Sequence, residues 1–317
     1  MLLADKFNIL ICQTKCKQPQ DSDNATQNRS NFPFFALKVG GEVETAVKRL
    51  ENYGVSVEFF TTNDKLQDFM QAQVNEAEIV IASRGGFNAV ELLPKLDFSK
   101  ITKPLCGYSD ITVLLNALLA QTGKIQYLGP NLKALNGDVD NYSLKNFLSV
   151  AIEQEKAKYY PAKAYMDTHV SKTQTFANQG ITVINEGKAR GHLVGGNLCS
   201  QIMLAGTKYY PVFDDMIVIA EEDDLCGAET FNMFMRNLWA LFNYDFAKNI
   251  RGLIIGRFMQ NSFVDMEVLK QKLQSFETLR HIPVIAGFDT GHTLPQMTLP
   301  LGKEAILDTL SDSVLSF

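Results

Sequence analysis

In the first half of the chain, short apolar runs alternate with amphipathic stretches, and no other feature constrains the fold as much. Phe7–Cys12, Val55–Phe60, Glu78–Ser83 and Pro104–Tyr108 read as strands. Between them Val43–Tyr53, Asp64–Glu76 and Phe87–Leu93 carry helical periodicity, with Gly54 and Pro94 as stops. Asp110–Gln121 is a further helix, closed by Thr122 and Gly123. Strands separated by helices of this length form βαβ units around a parallel sheet.

From Lys156 to Gly191 the pattern weakens into a connection, and a second unit follows. Its expected strands are Ile181–Ile184, Met216–Ala220, Arg251–Phe258 and Pro283–Gly287. Its expected helices are Asn197–Ala205, Ala228–Asn243 and Val264–Phe276. The polar stretch Gln13–Phe35 reads as a long loop inserted after the first strand.

With 317 residues and 46% hydrophobic content, the chain can bury a core of about two domains. Thirty basic residues against 35 acidic ones give a net charge of -5 with no basic run, which argues against a nucleic-acid partner. The five cysteines, Cys12, Cys16, Cys106, Cys199 and Cys226, are odd in number and scattered, so we expect reduced thiols. The start of the chain matches a secretory signal poorly, and no run reaches the ~18 apolar residues of a spanning helix. The expectation is a cytoplasmic protein with no membrane partner.

Four positions carry candidate chemistry. Ser109, in Gly107-Tyr108-Ser109-Asp110, falls between a strand and a helix. There a serine is more often a helix cap, but it can also be a nucleophile presented to helix N–H groups. Arg84-Gly85-Gly86 follows another strand of the same sheet, either as an ordinary turn or as a turn offering N–H groups to an oxyanion. Glu221 and Glu222 end an apolar strand and open an acidic run through Asp224, which is either a solvated loop or the source of an acid that orients a histidine. His292, one of four histidines, lies in a Gly- and Pro-rich loop after a strand, a better position for a general base than a helix face, although a histidine is more often a surface or structural residue. Nucleotide-binding loops, HExxH and paired CxxC motifs are absent from the sequence.

Three segments in order, GYSDITVLLNAL, IVIAEEDD and GHTLPQMTLPLG, resemble the LD-carboxypeptidase family of serine peptidases, with support from RGGFNAVELLPKLDFSKI and LVGGNL. That family includes muramoyltetrapeptide carboxypeptidases and microcin C immunity peptidases. The resemblance implies an α/β fold. A Rossmann- or flavodoxin-like parallel-sheet domain, residues 1–160, would carry the nucleophile. A second α/β domain, residues 161–317, would carry the acid and the histidine, with the site in the groove between them. It implies a triad of Ser109, His292 and Glu221, a one-residue slip giving Glu222, with the oxyanion hole made by the Asp110 N–H and the Gly85–Gly86 turn. No metal or organic cofactor is implied.

The chain departs from the family pattern in the Gln13–Phe35 loop and in Leu225–Phe231, which lacks the usual Tyr–Asp–Arg pattern although Arg236 is near. The function implied first is release of the terminal D-alanine from cytoplasmic murein tetrapeptide in peptidoglycan recycling. The implied partner is thus a small peptide, and a homodimer is left open. An immunity peptidase acting on an aminoacyl-nucleotide such as processed microcin C is the alternative; it calls for an aromatic platform, and the one tryptophan, Trp239, falls in an expected helix. A catalytically inactive α/β binding protein is a further alternative.

Overall fold

The computed structural model describes residues 7–12 as main chain and 41–60, 64–171 and 173–317 in full. The expected loop Gln13–Phe35, and the Cys12 and Cys16 side chains, lie outside the described residues. Cys106, Cys199 and Cys226 are free thiols.

Among the described residues the first sheet has six strands, in the order Leu299–Leu301, Gln126–Leu128, Leu105–Gly107, Ile79–Ala82, Phe7–Cys12 and Val55–Phe60. The last five run parallel, and numbered by chain position they lie 2-1-3-4-5 across the sheet, the flavodoxin-like order. Ile79–Ala82 is buried at every position, as a continuous apolar run in a parallel sheet requires. Leu299–Leu301 arrives from the far end of the chain and pairs antiparallel with Gln126–Leu128, so the second half of the chain completes the first sheet.

The second sheet has seven strands, in the order Leu315–Ser316, Glu304–Asp308, Lys188–Asn197, Met216–Glu221, Ile250–Gly256, Val284–Phe288 and Thr182–Asn185. The run from Lys188–Asn197 to Val284–Phe288 is parallel, and the flanking strands are antiparallel. Apart from both sheets, Ala164–Met166 and Thr175–Ala177 form a hairpin within the stretch read from sequence as a connection.

The expected helices are present with shifted ends, such as Glu42–Glu51, Lys65–Ala72 capped by the Asp64 carboxylate, and Thr230–Phe242. Phe87–Leu93 is instead a 3-10 helix over Ala89–Lys95 that contains Pro94, whose missing N–H does not stop so tight a turn.

Helix Thr112–Thr122 ties the two sheets together. Residues from Thr112 to Leu119 are all buried, which accounts for a helix apolar around its whole circumference. Its one buried amide side chain, Asn116, accepts from the Gly195 N–H at 3.0 Å and donates to the Gly195 carbonyl at 3.0 Å. Thr112 Oγ1 accepts from the Asn197 N–H at 3.0 Å. One hydrophobic cluster runs through this helix, from Val80 and Leu105 of the first sheet to Leu193 and Val218 of the second. A second cluster, with Val43, Leu50, Cys106 and Phe147, covers the other face of the first sheet. Asn116→Leu removes both bonds to Gly195 from a buried site, so we expect unfolding free energy to fall by about 2–4 kcal/mol, measured as a lower urea midpoint with unchanged slope.

Candidate active site

The strand Leu105–Gly107 stops one residue before a sharp turn. Tyr108 is extended, Ser109 takes a left-handed φ of 63°, and the 3-10 turn Ser109–Ile111 leads into helix Thr112–Thr122. A left-handed serine is conformationally costly and turns its side chain out of the strand-to-helix corner. Ser109 is therefore not the helix cap; Tyr108 caps the 3-10 turn and Ile111 caps helix Thr112–Thr122, neither with a side-chain capping bond. The Asp110 N–H, at the start of this turn, belongs to the helix-start donors that have no intrahelical acceptor. Gly85 lies against the same corner: a Cβ there would be 2.8 Å from Ser109 Cβ and 3.0 Å from its Oγ. The glycine is required by close approach, and it brings the Gly85–Gly86 turn alongside the serine.

Ser109 Oγ lies 3.0 Å from His292 Nε2, and His292 Nδ1 lies 2.8 Å from Glu221 Oε2. A carboxylate only accepts, so Nδ1 carries the proton, and in the neutral ring Nε2 is left to accept from the serine hydroxyl. Glu221 ends strand Met216–Glu221 and is buried. Two glycines make room for it. A Cβ at Gly256 would meet Glu221 Cβ at 2.7 Å, and one at Gly291, whose φ is 106°, would meet Glu221 Oε2 at 2.9 Å. Burial disfavours the charged form of His292, but the Glu221 charge and hydrogen bond, with Asp223 and Glu222 behind them, outweigh it and push its pKa up to about 9.

The acidic run is not a solvated loop. Glu222 is also buried, on a different set of partners: it accepts from Asn197 Nδ2 at 3.0 Å and from the Cys199 N–H at 3.2 Å. Burial, reinforced by the Glu221 and Asp223 charges, pushes its pKa up to about 7. Asp223 turns back to the Leu225 N–H at 2.9 Å, and Asp224 lies 2.7 Å from His169 Nδ1. Of the two glutamates, Glu221 is the one that meets His292. Two of the other histidines lie elsewhere: His192 stacks on Phe213 with ring centroids 4.3 Å apart, and His281 is an exposed loop residue.

A buried polar network that sequence reasoning missed braces the His292 loop. Asp289 accepts from Tyr159 Oη at 3.0 Å, the Ala162 N–H at 2.8 Å and Asn178 Nδ2 at 3.3 Å, and it pairs with Arg257. Arg257 lies over the Tyr165 ring of the hairpin, 4.8 Å from its centroid, and donates to Thr293 Oγ1, next to His292, at 3.4 Å. The hairpin also bonds directly to this loop, through Met166 and Leu294. Nothing local marks these residues, because their partners are distant in sequence.

Ser109 and His292 open into a cleft of about 460 Å³, lined also by Arg84, Gly85, Gly86, Asn131, Asp223 and, from the hairpin loop, His169. That volume is enough for a small ligand. Tyr108 packs edge-on against His292 with ring centroids 5.2 Å apart. Among the described residues no cluster of His, Cys, Asp and Glu could hold a metal ion, and no helix is long and apolar enough to cross a membrane.

Two substitutions test this construction. Gly85→Ala drives a methyl into Ser109, and since a misplacement of about 1 Å can cost ~10²-fold in rate, we expect at least that loss of hydrolysis with an unchanged circular dichroism spectrum. Arg257→Met leaves the Asp289 carboxylate buried without its cation, and we expect destabilisation of about 3–5 kcal/mol by chemical denaturation.

Comparison with known proteins places this architecture. Residues 35–129 match the model of the LD-carboxypeptidase N-terminal domain, and residues 190–307 that of the C-terminal domain. YocD of Bacillus subtilis, which is named as a carboxypeptidase, is 34% identical over 241 residues, 73% of each chain. The microcin C7 self-immunity protein MccF of Escherichia coli is 26% identical over 270 residues, 78% of this chain and 76% of that one. The murein tetrapeptide carboxypeptidase of Pseudomonas aeruginosa is 25% identical over 258 residues, 78% of each chain. The crystal structure of an MccF-like protein from Bacillus anthracis superposes with a TM-score of 0.86 at 27% identity, covering 99% of this chain and 97% of that one. With both domain models matched in order and a relative 34% identical across most of both chains, this chain belongs to the LD-carboxypeptidase family of peptidases.

Proposed function

We propose that the protein is a serine-type LD-carboxypeptidase that releases the terminal D-alanine from cytoplasmic murein tetrapeptide, using Ser109, His292 and Glu221 as its triad. The observation that carries this reading is the hydrogen-bonded chain from Ser109 Oγ through His292 to Glu221, at 3.0 and 2.8 Å, opening on a cleft. The family and the murein-directed relative support the substrate.

In this mechanism the Ser109 oxygen attacks the carbonyl carbon of the third residue while its proton passes to His292 Nε2. The oxyanion that forms accepts from the Asp110 N–H and from the Gly85–Gly86 turn, donors of a kind whose individual loss costs about 2.7–4 kcal/mol. Collapse breaks the C–N bond, and the D-alanine amine leaves with the proton held on His292. Water then attacks the acyl-serine carbonyl and gives a proton to His292; the bond from the carbonyl carbon to Ser109 Oγ breaks, His292 returns that proton to Oγ, and the water oxygen leaves in the carboxylate of the tripeptide. Glu221 keeps the imidazole in the required tautomer and stabilises its cation.

A second reading, an immunity-type peptidase acting on an aminoacyl-nucleotide, has one observation in its favour. Phe87 lines the cleft and is 54% exposed, a flat apolar face on which a base could stack. Trp239 is not that platform; it packs against Phe276. A panel of murein tripeptide, murein tetrapeptide and an aminoacyl-sulfamoyl adenosine separates the readings. We expect D-alanine release from the tetrapeptide alone, and turnover of the adenosine compound alone would establish the second reading. Ser109→Ala should lower tetrapeptide kcat by about a millionfold; an unchanged rate would mean that the protein does not use this serine.

The pH dependence follows from His292. The base must be neutral, and its pKa is raised to about 9, so the neutral form is a minority at pH 7 and grows tenfold per pH unit. We expect kcat/KM to climb through pH 6–8 and level off above about 9. Glu221→Gln removes the main attraction that raises the pKa, so the limb should move to lower pH, with a plateau lower by about 10⁴.

A further inference from the structure

The neighbouring strands Ile79–Ala82 and Leu105–Gly107 lead into the two halves of the expected oxyanion hole. We propose that the Asp110 side chain couples those halves: one residue supplies an oxyanion N–H from its main chain and, through its carboxylate, holds the Gly85–Gly86 segment that supplies the other. Asp110 is thus a positioning residue. The inference rests on the Ser109 reading and concerns what keeps the two donors in one geometry.

The glycine segment has no regular structure of its own to hold it. Gly85 and Gly86 lie between the end of the strand at Ala82 and the start of the 3-10 helix at Ala89. Among the described residues Gly85, Gly86 and Phe87 make no main-chain hydrogen bond. Their N–H groups thus have no main-chain acceptor, and no ladder fixes their direction. Asn88, at the cap position of the 3-10 helix, makes no side-chain capping bond. The acceptor comes instead from a residue 21 positions from Ala89: Asp110 Oδ2 accepts from the Ala89 N–H at 2.9 Å.

Asp110 and Ala89 are both buried, so water does not compete for this bond, and an ionised acceptor makes it stronger than a neutral one. Burial pushes the Asp110 pKa up to about 6, which leaves the carboxylate as the main form at neutral pH. Asp110 directly follows Ser109 in the 3-10 turn Ser109–Ile111. A side chain anchored at Ala89 therefore restricts rotation of the Ser109–Asp110 peptide, whose N–H is the first donor. The same bond ties down the segment that brings Gly85 against the serine, where a Cβ would be 2.8 Å from Ser109 Cβ. Releasing it frees both donors, and about 1 Å of misplacement can cost ~10²-fold in rate. A nearby negative charge by itself would oppose an oxyanion, so the carboxylate contributes aim and not charge.

The test compares kcat/KM for two murein tetrapeptides that differ in one atom, oxygen or sulfur at the scissile carbonyl. Sulfur is a larger and weaker acceptor, so the thioamide gains little from donors placed for an oxyanion. The intrinsic reactivities of the two bonds are the same for every variant, and only a change in the amide-to-thioamide ratio is read. In Asp110→Ala that ratio should fall by roughly 10- to 100-fold, since one such donor is worth about 10²–10³ in kcat. A merely structural aspartate would lower both rates together and leave the ratio at the parent value, and that result would overturn the assignment. Asp110→Asn keeps an acceptor for the Ala89 N–H and should hold the parent ratio; a ratio as low as that of Asp110→Ala would also overturn it. Should Asp110→Ala not fold, Asp110→Leu fills the space without an acceptor and reads the same ratio. If the parent enzyme hydrolyses neither peptide, the carboxypeptidase reading itself has failed, and this shows before any variant is compared.

Discussion

Helix Thr112–Thr122 has no solvent face along most of its length, and the arrangement of the molecule depends on that burial. A helix apolar on all sides must be enclosed, and here the two sheets enclose it. Its amino end is the turn that carries Ser109, and Thr112 and Asn116 bond to the strand Lys188–Asn197. That strand pairs with Met216–Glu221 in register, Asn197 opposite Glu221. The serine and the glutamate, 112 residues apart by number, are thereby placed in one rigid frame by packing that extends directly from the serine.

Within that frame the electrostatics are strained in a useful direction. Glu221, Glu222 and Asp223 are crowded at the end of one strand, and burial pushes the Glu222 and Asp223 carboxyls toward protonation. Each carboxylate has its own partners, and His292 brings a compensating positive charge to the innermost one. At an effective dielectric near 20, opposite unit charges about 4 Å apart attract by ~4 kcal/mol, enough to outweigh the burial that favours a neutral imidazole. The Asp289–Arg257 network fixes the loop that carries the histidine, so this attraction acts at a set distance.

Where local signals existed, the fold was legible. The apolar runs and their amphipathic partners located four of the five parallel strands of the first sheet, missing the three-residue Gln126–Leu128, and several of the second. The ten-residue strand Lys188–Asn197 was visible only as a supporting motif, because Gly191, Gly195, Gly196, Lys188 and Arg190 obscure any strand pattern. Leu299–Leu301 escaped because Pro300 argues against a strand; it is tolerated here at the edge of the sheet. The hairpin over the cleft and the Asp289 network depend on contacts across large sequence separations. Of the candidate site, Ser109, Gly85, Gly86, Asp110, Glu221 and His292 were legible because each lies at or just beyond the end of a strand, where open α/β sheets form their crevices.

The sequence by itself determined the alternation of strands and helices, the family motifs, and the presence of a serine, acids and a histidine at strand ends. It left two matters to the tertiary structure. Whether Ser109 caps its helix was decided by the left-handed corner and by the approach of a histidine 183 residues away. Which glutamate meets that histidine was decided by strand register. Successive side chains on a strand point to opposite faces, so a one-residue difference sends Glu222 toward Asn197 and Cys199 and leaves Glu221 to face His292.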